Sequence, residues 1–278
     1  MATDRPTLKC GFIGMGSQGA PMAQRMIDAG FPVTLWARRA QTLDRYRDTA
    51  ATFAETIAEL GSAVDHVGVC VVDDDDVREV CGQLIPAMRP GSLIAIHSTI
   101  HPDTCRALER EAAARGIRLI DAPVSGGTPV AEIGELTVMC GGDPAAFEAA
   151  RPVFESFGKL IVLLGDVGAG QKAKLVNNAL LTANLGLVHN AVAGGVAMGV
   201  DRTALIELLK ESSGRSYALE VYARMTKLSN FAHPAMLLAK DVRLLGETLG
   251  AEHPAFAVIR DAAKPTEGAF RPYVITLP

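Results

Sequence analysis

Apolar residues fall in short unbroken runs through the first half of the chain and in longer helical stripes through the second. Cys10–Ile13, Val33–Trp36, Val67–Val72, Leu93–His97, Leu119–Asp121, Thr137–Met139 and Leu160–Leu164 read as strands. The early runs are continuous rather than alternating, the pattern of strands covered on both faces, as in a parallel sheet. Helical stretches lie between them at Ala20–Ala29, Val77–Met88, Thr104–Ala114 and Pro144–Phe157. Repeated strand–helix alternation predicts a doubly wound, mostly parallel α/β domain. The pattern changes after the glycine-rich stretch Gly165 to Gly170. From there it predicts helices over Gln171–Met198, Arg202–Glu211, Tyr217–Met225 and Ala235–Leu249. The chain is therefore expected to comprise an α/β domain over 1–167 and an all-helical domain over 168–278, built on one long helix. Gly186, Gly194 and Gly195 inside that helix predict close approach of another helix, from this chain or a second copy; the alternative is a break near Gly194. With Pro265, Gly268, Pro272 and Pro278, the stretch from Lys264 to Pro278 is expected to be irregular or exchanged with a partner.

Composition narrows the function. The 278 residues are 49% hydrophobic, enough for a substantial core, and the formal net charge is −4. That mild acidity argues against a nucleic-acid binder, which presents a basic face. Five scattered cysteines without a C-x-x-C pair fit buried, reduced thiols in a cytoplasmic protein. No apolar targeting segment opens the chain. The apolar stretch Leu175–Val200 is interrupted by Asn177, Asn178, Asn184, His189 and Asn190, so it reads as a helix of a soluble protein rather than a membrane span.

The first candidate site follows the first strand. Gly14-Met15-Gly16-Ser17-Gln18-Gly19 is a G-x-G-x-x-G between a strand and a helix. Its first glycine permits the tight turn, its second lets backbone reach a pyrophosphate, and its third lets helix and strand pack closely. Free N–H groups at the helix start then face the phosphates. The alternative is an ordinary glycine-rich turn. The second strand ends Trp36-Ala37-Arg38-Arg39, with two arginines and no acid where an NAD site places Asp or Glu, about 20 residues on. A guanidinium pairs with a 2′-phosphate through two hydrogen bonds, which predicts a preference for NADP(H) over NAD(H). Otherwise these arginines are solvated surface charges and either cofactor is accepted.

Two further constellations carry chemistry. Asp121-Ala122-Pro123-Val124-Ser125-Gly126-Gly127 follows a predicted strand, and its serine and glycines offer a hydroxyl and backbone N–H groups to an anion. A plain turn would look the same. In Gly168 to Asn178, Lys174 and Asn178 are four apart and share a helix face, while Lys172 points elsewhere. Burial and the helix dipole both disfavour the ammonium form near a helix start, which is a route to a lysine that exchanges protons near neutral pH. A solvated helix face is the bland reading of the pair.

Taken together, Gly11 to Gly16, Asp121 to Gly127, Gly134 to Gly142, Gly168 to Asn178 and Lys240-Asp241 resemble the β-hydroxyacid dehydrogenase family, in order, over roughly residues 9–250. The resemblance implies a Rossmann-type domain followed by a helical one. It also implies hydride transfer between a nicotinamide cofactor and a small β-hydroxy acid or its semialdehyde or ketone. Lys174 would be the general acid/base, with Asn178 as its polar partner. Ser125, Gly126 and Gly127 would bind the substrate carboxylate, together with Lys174 and Asn178. Gly14 to Gly19, Ala37, Arg38, Arg39, Val72, Thr99 and Lys240 would hold the cofactor, and Asp241 would hold Lys240. No metal is expected: His97 and His101 lie across a strand end and a loop, and Asp73 to Asp76 read as helix-capping acids. The partners implied are a small carboxylate and a second or further copy, through the long helix, with neither nucleic acid nor membrane. The sequence departs from the family at His97, Gln18, Val72-Asp73 and in the tail. The rival readings are an NADPH-dependent imine reductase, disfavoured by Lys174, and a non-catalytic NADP-binding protein, disfavoured by Lys174 with Asn178.

Overall fold

The computed structural model describes residues 7–225 and 232–274. The chain divides into two compact units, Met1–Lys174 and Leu175–Pro278.

The first unit is built on a six-stranded, all-parallel sheet. Its strands are β1 (Cys10–Ile13), β2 (Val33–Trp36), β3 (Thr52–Phe53), β4 (His66–Val69), β5 (Leu93–Ile96) and β6 (Arg118–Asp121). They lie in the order β3-β2-β1-β4-β5-β6. The helices α1 (Gly19–Asp28), α2 (Ile57–Ala63), α3 (Asp74–Ala87) and α4 (Pro102–Ala113) link them. β1, β4 and β5 are buried throughout, which is why their runs are continuous rather than alternating. Successive side chains of one strand feed two cores. Leu93 and Ala95 join a cluster with Cys10, Phe12 and Phe154, while Ile94 and Ile96 join Ile13, Val67 and Val77 on the other side. Each fully buried Phe, Leu or Ile contributes about 1.5–3 kcal/mol of transfer free energy.

The chain then adds β7 (Val124–Ser125), α5 (Gly127–Glu132), β8 (Leu136–Cys140), α6 (Pro144–Phe154) and β9 (Gly158–Leu163). β7 pairs antiparallel with β8, and β9 parallel with β8. The pattern along the chain shows β1 and β2 with these limits and the other long strands within a few residues. It does not show β3, β7, α2 or α5, which are too short to develop a period. Helix starts follow local chemistry. Thr56, Asp73 and Asp143 cap α2, α3 and α6 by accepting backbone N–H groups, and Pro102 and Pro144 occupy first-turn positions. All five cysteines are free; Cys10, Cys81, Cys105 and Cys140 are buried and Cys70 partly so, and desolvation raises every thiol, those of Cys10, Cys70, Cys81 and Cys140 up to about 12.

The helix α7 (Ala169–Ala197) leads into the second unit, which continues with α8 (Arg202–Glu211), α9 (Tyr217–Arg224), α10 (Ala232–Leu249) and α11 (Pro254–Val274). Leu175 and Ala179 pack with Val242, Leu245, Phe256 and Ala263; Leu185 and Val192 pack with Ile206, Ala218, Tyr222 and Leu238. α7 does not break at Gly194. A Cβ on Gly195 would lie 2.3 Å from Leu205 Cδ2, so the glycine admits α8 of the same chain at close range. The expectation of an irregular tail needs correcting: residues 264–274 are helical, as the end of α11. Each proline there removes one backbone donor, but the helix is already anchored upstream by buried Phe256 and Ala263. Residues 275–278 lie outside the described part. α7 is long and apolar enough to cross a membrane, yet it buries Gln171, Lys174, Asn178 and Thr182 along one stripe, as a core helix that carries a polar site does.

Candidate active site

Most of the predicted site residues of the first unit follow carboxyl ends of its parallel strands, the edge at which ligands of open α/β sheets bind. Gly14 turns the chain out of β1 with φ of 100°, and a Cβ there would lie 2.0 Å from the Cys70 carbonyl oxygen. A Cβ on Gly19, the first residue of α1, would lie 1.9 Å from the Gly14 carbonyl oxygen. Gly16 is different: nothing lies within 4 Å of where its Cβ would be. The first and third glycines are thus demanded by packing, whereas the second keeps an open cradle over backbone. That cradle fits the pyrophosphate of a dinucleotide. Gln18 precedes α1 without a side-chain cap, so the first-turn N–H groups are not claimed by a cap from that side chain.

Around the cradle, Ala37, Arg38 and Arg39 follow β2, and Val72 is exposed just beyond β4. Arg38 does not stand alone: its Nη2 lies 2.8 Å from Asp76 Oδ1 and 3.5 Å from Glu79 Oε2, both on α3. Of the four acids Asp73 to Asp76, Asp73 caps α3 and Asp74 accepts the His101 N–H and the Thr104 hydroxyl at the start of α4, whereas the Asp76 carboxylate goes to Arg38. Among the described residues no cluster suits a metal ion. His97 belongs to the core. It is buried, stacked on Phe12 with ring centroids 6.0 Å apart, and its Nδ1 lies 2.8 Å from the Ala122 carbonyl oxygen. Burial holds its imidazole down at about 4.

The loop after β6 and the start of α7 form one hydrogen-bonded block. Asp121 is fully buried; its Oδ1 accepts the Gly168 N–H at 2.6 Å and its Oδ2 the Gln171 N–H at 2.7 Å. Burial raises its carboxyl to about 6 against the lowering effect of those backbone donors. Gly141 and Gly170 leave room for the carboxylate, since a Cβ on either would come within 3 Å of it. Gln171, also fully buried, accepts the Ile100 N–H at 3.1 Å and donates to the Ser98 carbonyl at 2.8 Å. It therefore ties α7 to the loop that carries Thr99. Ser98 Oγ in turn accepts the Val71 N–H at 2.8 Å, joining the ends of β4 and β5.

Lys174 stands three residues beyond Gln171, on the same side of α7, and is only 9% exposed, while Lys172 is solvent-exposed. Ser125 ends β7; Gly126 and Gly127 have φ of 141° and 76°, conformations that a side chain would strain. Thr128 donates its hydroxyl to the Ser17 carbonyl at 3.1 Å, clasping this loop to the cradle. In the second unit, Asn178, one turn after Lys174, donates its Nδ2 to Asp241 Oδ2 at 2.6 Å, and the Lys240 ammonium lies 3.7 Å from Asp241 Oδ1. Thus Asp241 is shared between Lys240 and Asn178, a wider role than the resemblance implied. Asp121, Gln171 and Thr182 carry no assigned role in the sequence reading. The signal for the last two was there: both lie on the Lys174–Asn178 face of a predicted helix, where buried polar residues are unusual. A hollow of about 530 Å³ between α8 and α9 is lined by none of these residues.

Residues 9–165 match the family described as the NAD binding domain of 6-phosphogluconate dehydrogenase. Residues 168–266 match the family described as NAD-binding of NADP-dependent 3-hydroxyisobutyrate dehydrogenase. The chain belongs to the β-hydroxyacid dehydrogenase family. Among its relatives in that family, an NAD-dependent L-serine dehydrogenase of Pseudomonas aeruginosa is 36% identical, over 85% of this chain and 83% of its own. A 2-(hydroxymethyl)glutarate dehydrogenase of Eubacterium barkeri is 35% identical, over 80% of this chain and 74% of its own. The structure of a Mycobacterium tuberculosis 3-hydroxyisobutyrate dehydrogenase with L-serine superposes with a TM-score of 0.85 at 25% identity, covering 97% of this chain and 96% of the other. Membership makes this chain one of the pyridine-nucleotide-dependent hydroxyacid dehydrogenases, whose relatives act on CH–OH donors.

Proposed function

We propose that this protein is an NADP(H)-preferring dehydrogenase that interconverts a small β-hydroxy acid and its semialdehyde or ketone, with Lys174 as general acid and base. The observation that carries the reading is Lys174, a lysine 9% exposed on a helix whose first turn is pinned by a buried carboxylate. Burying an amine costs free energy, and a surface role would not require it.

When bound, the nicotinamide accepts or gives the hydride at the carbinol carbon. The backbone of Gly14 to Gly19, with Met15, Ser17 and Gln18 between the glycines, would take the pyrophosphate at the start of α1. Ala37 and Val72 would flank the adenosine, and Arg38 and Arg39 would meet the 2′-phosphate. Thr99 and Lys240 would face the nicotinamide end. Ser125, Gly126 and Gly127 would hold the substrate carboxylate, fixing which carbon is presented. Lys174 would take the proton from the substrate hydroxyl during oxidation and return it to the carbonyl oxygen during reduction. Asn178, held by Asp241, would orient that oxygen. An exposed apolar stripe on α7, Val176, Leu180 and Leu187, supports assembly of copies through this helix. The unbonded thiols support a cytoplasmic setting.

The test is turnover of L-serine, 3-hydroxyisobutyrate and 2-(hydroxymethyl)glutarate with each cofactor. Lys174→Ala is expected to lower kcat by about 10²–10⁴-fold while the dissociation constant for NADPH is unchanged. Near-normal kcat would remove the lysine from the chemistry. Preference of the unaltered protein for NADH would refute the cofactor assignment.

A further inference from the structure

The end of β2 lacks the acid that usually receives a ribose 2′-hydroxyl, but the structure brings one there from elsewhere. Arg38 lies two residues beyond β2, and Asp76 lies in the first turn of α3, the helix that follows β4. β2 and β4 flank β1 on opposite sides, with Ile13 level with Trp36 and with Val69. The 2.8 Å contact between Arg38 and Asp76 therefore spans the carboxyl end of β1, beside the turn that opens the glycine cradle. Glu79, one turn along α3, lies within 3.5 Å of the same guanidinium nitrogen. Arg39 makes no ion pair among the described residues.

We infer that Asp76, backed by Glu79, sets the discrimination between the two nicotinamide cofactors by competing with a 2′-phosphate for Arg38. The inference rests on the NADP(H) reading above and deepens it. A 2′-phosphate must draw the Arg38 guanidinium away from Asp76, or share it, in the field of the α3 carboxylates. A 2′-hydroxyl has no charge to be repelled and finds in Asp76 an acceptor for its proton. Arg39 answers to the phosphate alone. The same rim thus carries a cation for one cofactor and an acid for the other, and the exposed ion pair between them moderates the preference. The pair is 66% exposed on the arginine side, so the effect is a few-fold rather than a switch.

The experiment measures binding of 2′,5′-ADP and of 5′-AMP, which differ by the 2′-phosphate, by calorimetry on the full chain near 0.1 M salt. Asp76→Asn is expected to tighten 2′,5′-ADP by about 3–5-fold and to leave 5′-AMP unchanged or weaker. Asp75→Asn is the control: it removes the same charge from the same turn, but Asp75 makes no ion pair with Arg38 in the structure. It should shift the ratio of the two affinities by less than about two-fold. An equal shift in both variants, or no shift in Asp76→Asn, overturns the inference. Arg38→Ala separates this failure from that of the underlying reading. If it weakens 2′,5′-ADP more than 5′-AMP, the arginine does read the phosphate whatever Asp76 does; if it weakens both equally, the NADP(H) assignment at Arg38 itself falls.

Discussion

Asp121 offers a test of how α7 is anchored, because its two bonds and its burial act in opposite directions. Asp121→Asn keeps the shape but replaces one carboxylate oxygen by an NH₂ group. The amide can accept from only one of Gly168 and Gln171, and it sets two donors against each other on the other side, where 2.6–2.7 Å now separates donor from acceptor. Losing a charge-assisted bond to backbone costs about 1.5–3 kcal/mol. Against this, the buried carboxyl of the native protein titrates at about 6 rather than 3.8. That difference is worth about 3 kcal/mol at 1.36 kcal/mol per unit. The folded-state value is raised, so the folded protein binds the proton more tightly than the unfolded chain. The corresponding stability is fully present below pH 3.8 and is lost as pH rises through 6. The net shift already includes the two backbone bonds, so a comparison at one pH mixes the two effects, whereas the pH dependence isolates the titration. The asparagine has no such titration. Between pH 4.5 and pH 8 the native protein should lose about 2 kcal/mol relative to the variant. Urea unfolding of the first unit, followed through Trp36, the chain's single tryptophan, reads this directly. With a slope of about 2 kcal/mol/M, the gap between the two midpoints should move by about 1 M over that pH range, in favour of the variant at high pH. A constant gap, or one that moves the other way, would refute the account of a carboxylate held ionised at a cost to grip the helix.

Other outcomes follow from the same contacts. Gly16→Ala should leave thermal stability within about 1 kcal/mol, because nothing lies near the new methyl, yet weaken dinucleotide binding measured by calorimetry. Gly19→Ala should prevent normal folding, since its methyl meets the Gly14 carbonyl at 1.9 Å; circular dichroism would check this. His66 and His97 are buried neutral, with values lowered by burial to about 3 and about 4. Their folded values are depressed, so stability is lost as pH falls from the ordinary 6.5 toward those values, and His66→Leu should flatten the acid limb of a stability–pH curve. An unchanged limb would mean that His66 does not govern the acid loss. This acid loss is common to the native protein and Asp121→Asn and cancels in their comparison.

The fold class and the candidate chemistry were legible along the chain for local reasons. A strand buried on both faces must be apolar at consecutive positions, as in Leu93–Ile96, and a helix start must find partners for its N–H groups, as at Asp73 and Asp143. The glycine spacing of Gly14, Gly16 and Gly19 encodes a turn, an opening and a close approach, all within six residues. The Lys174–Asn178 pair follows from helical period alone. The short elements β3, β7 and α5 left no period to read, and the end of α11 runs through prolines that locally argue against it.

Which groups meet across long stretches of chain was decided by the tertiary structure. Asp121 grips Gly168 and Gln171 about half a hundred residues on, Gln171 reaches back to Ser98 and Ile100, and Asn178 finds Asp241. Asp76 arrives beside Arg38 because β2 and β4 both lie next to β1. Each residue type announces what it can bond or charge, since that is a property of its own atoms. Partner, burial and proton affinity depend on what the folded sheet and helices bring within a few ångströms, and no spacing in the chain contains that distance.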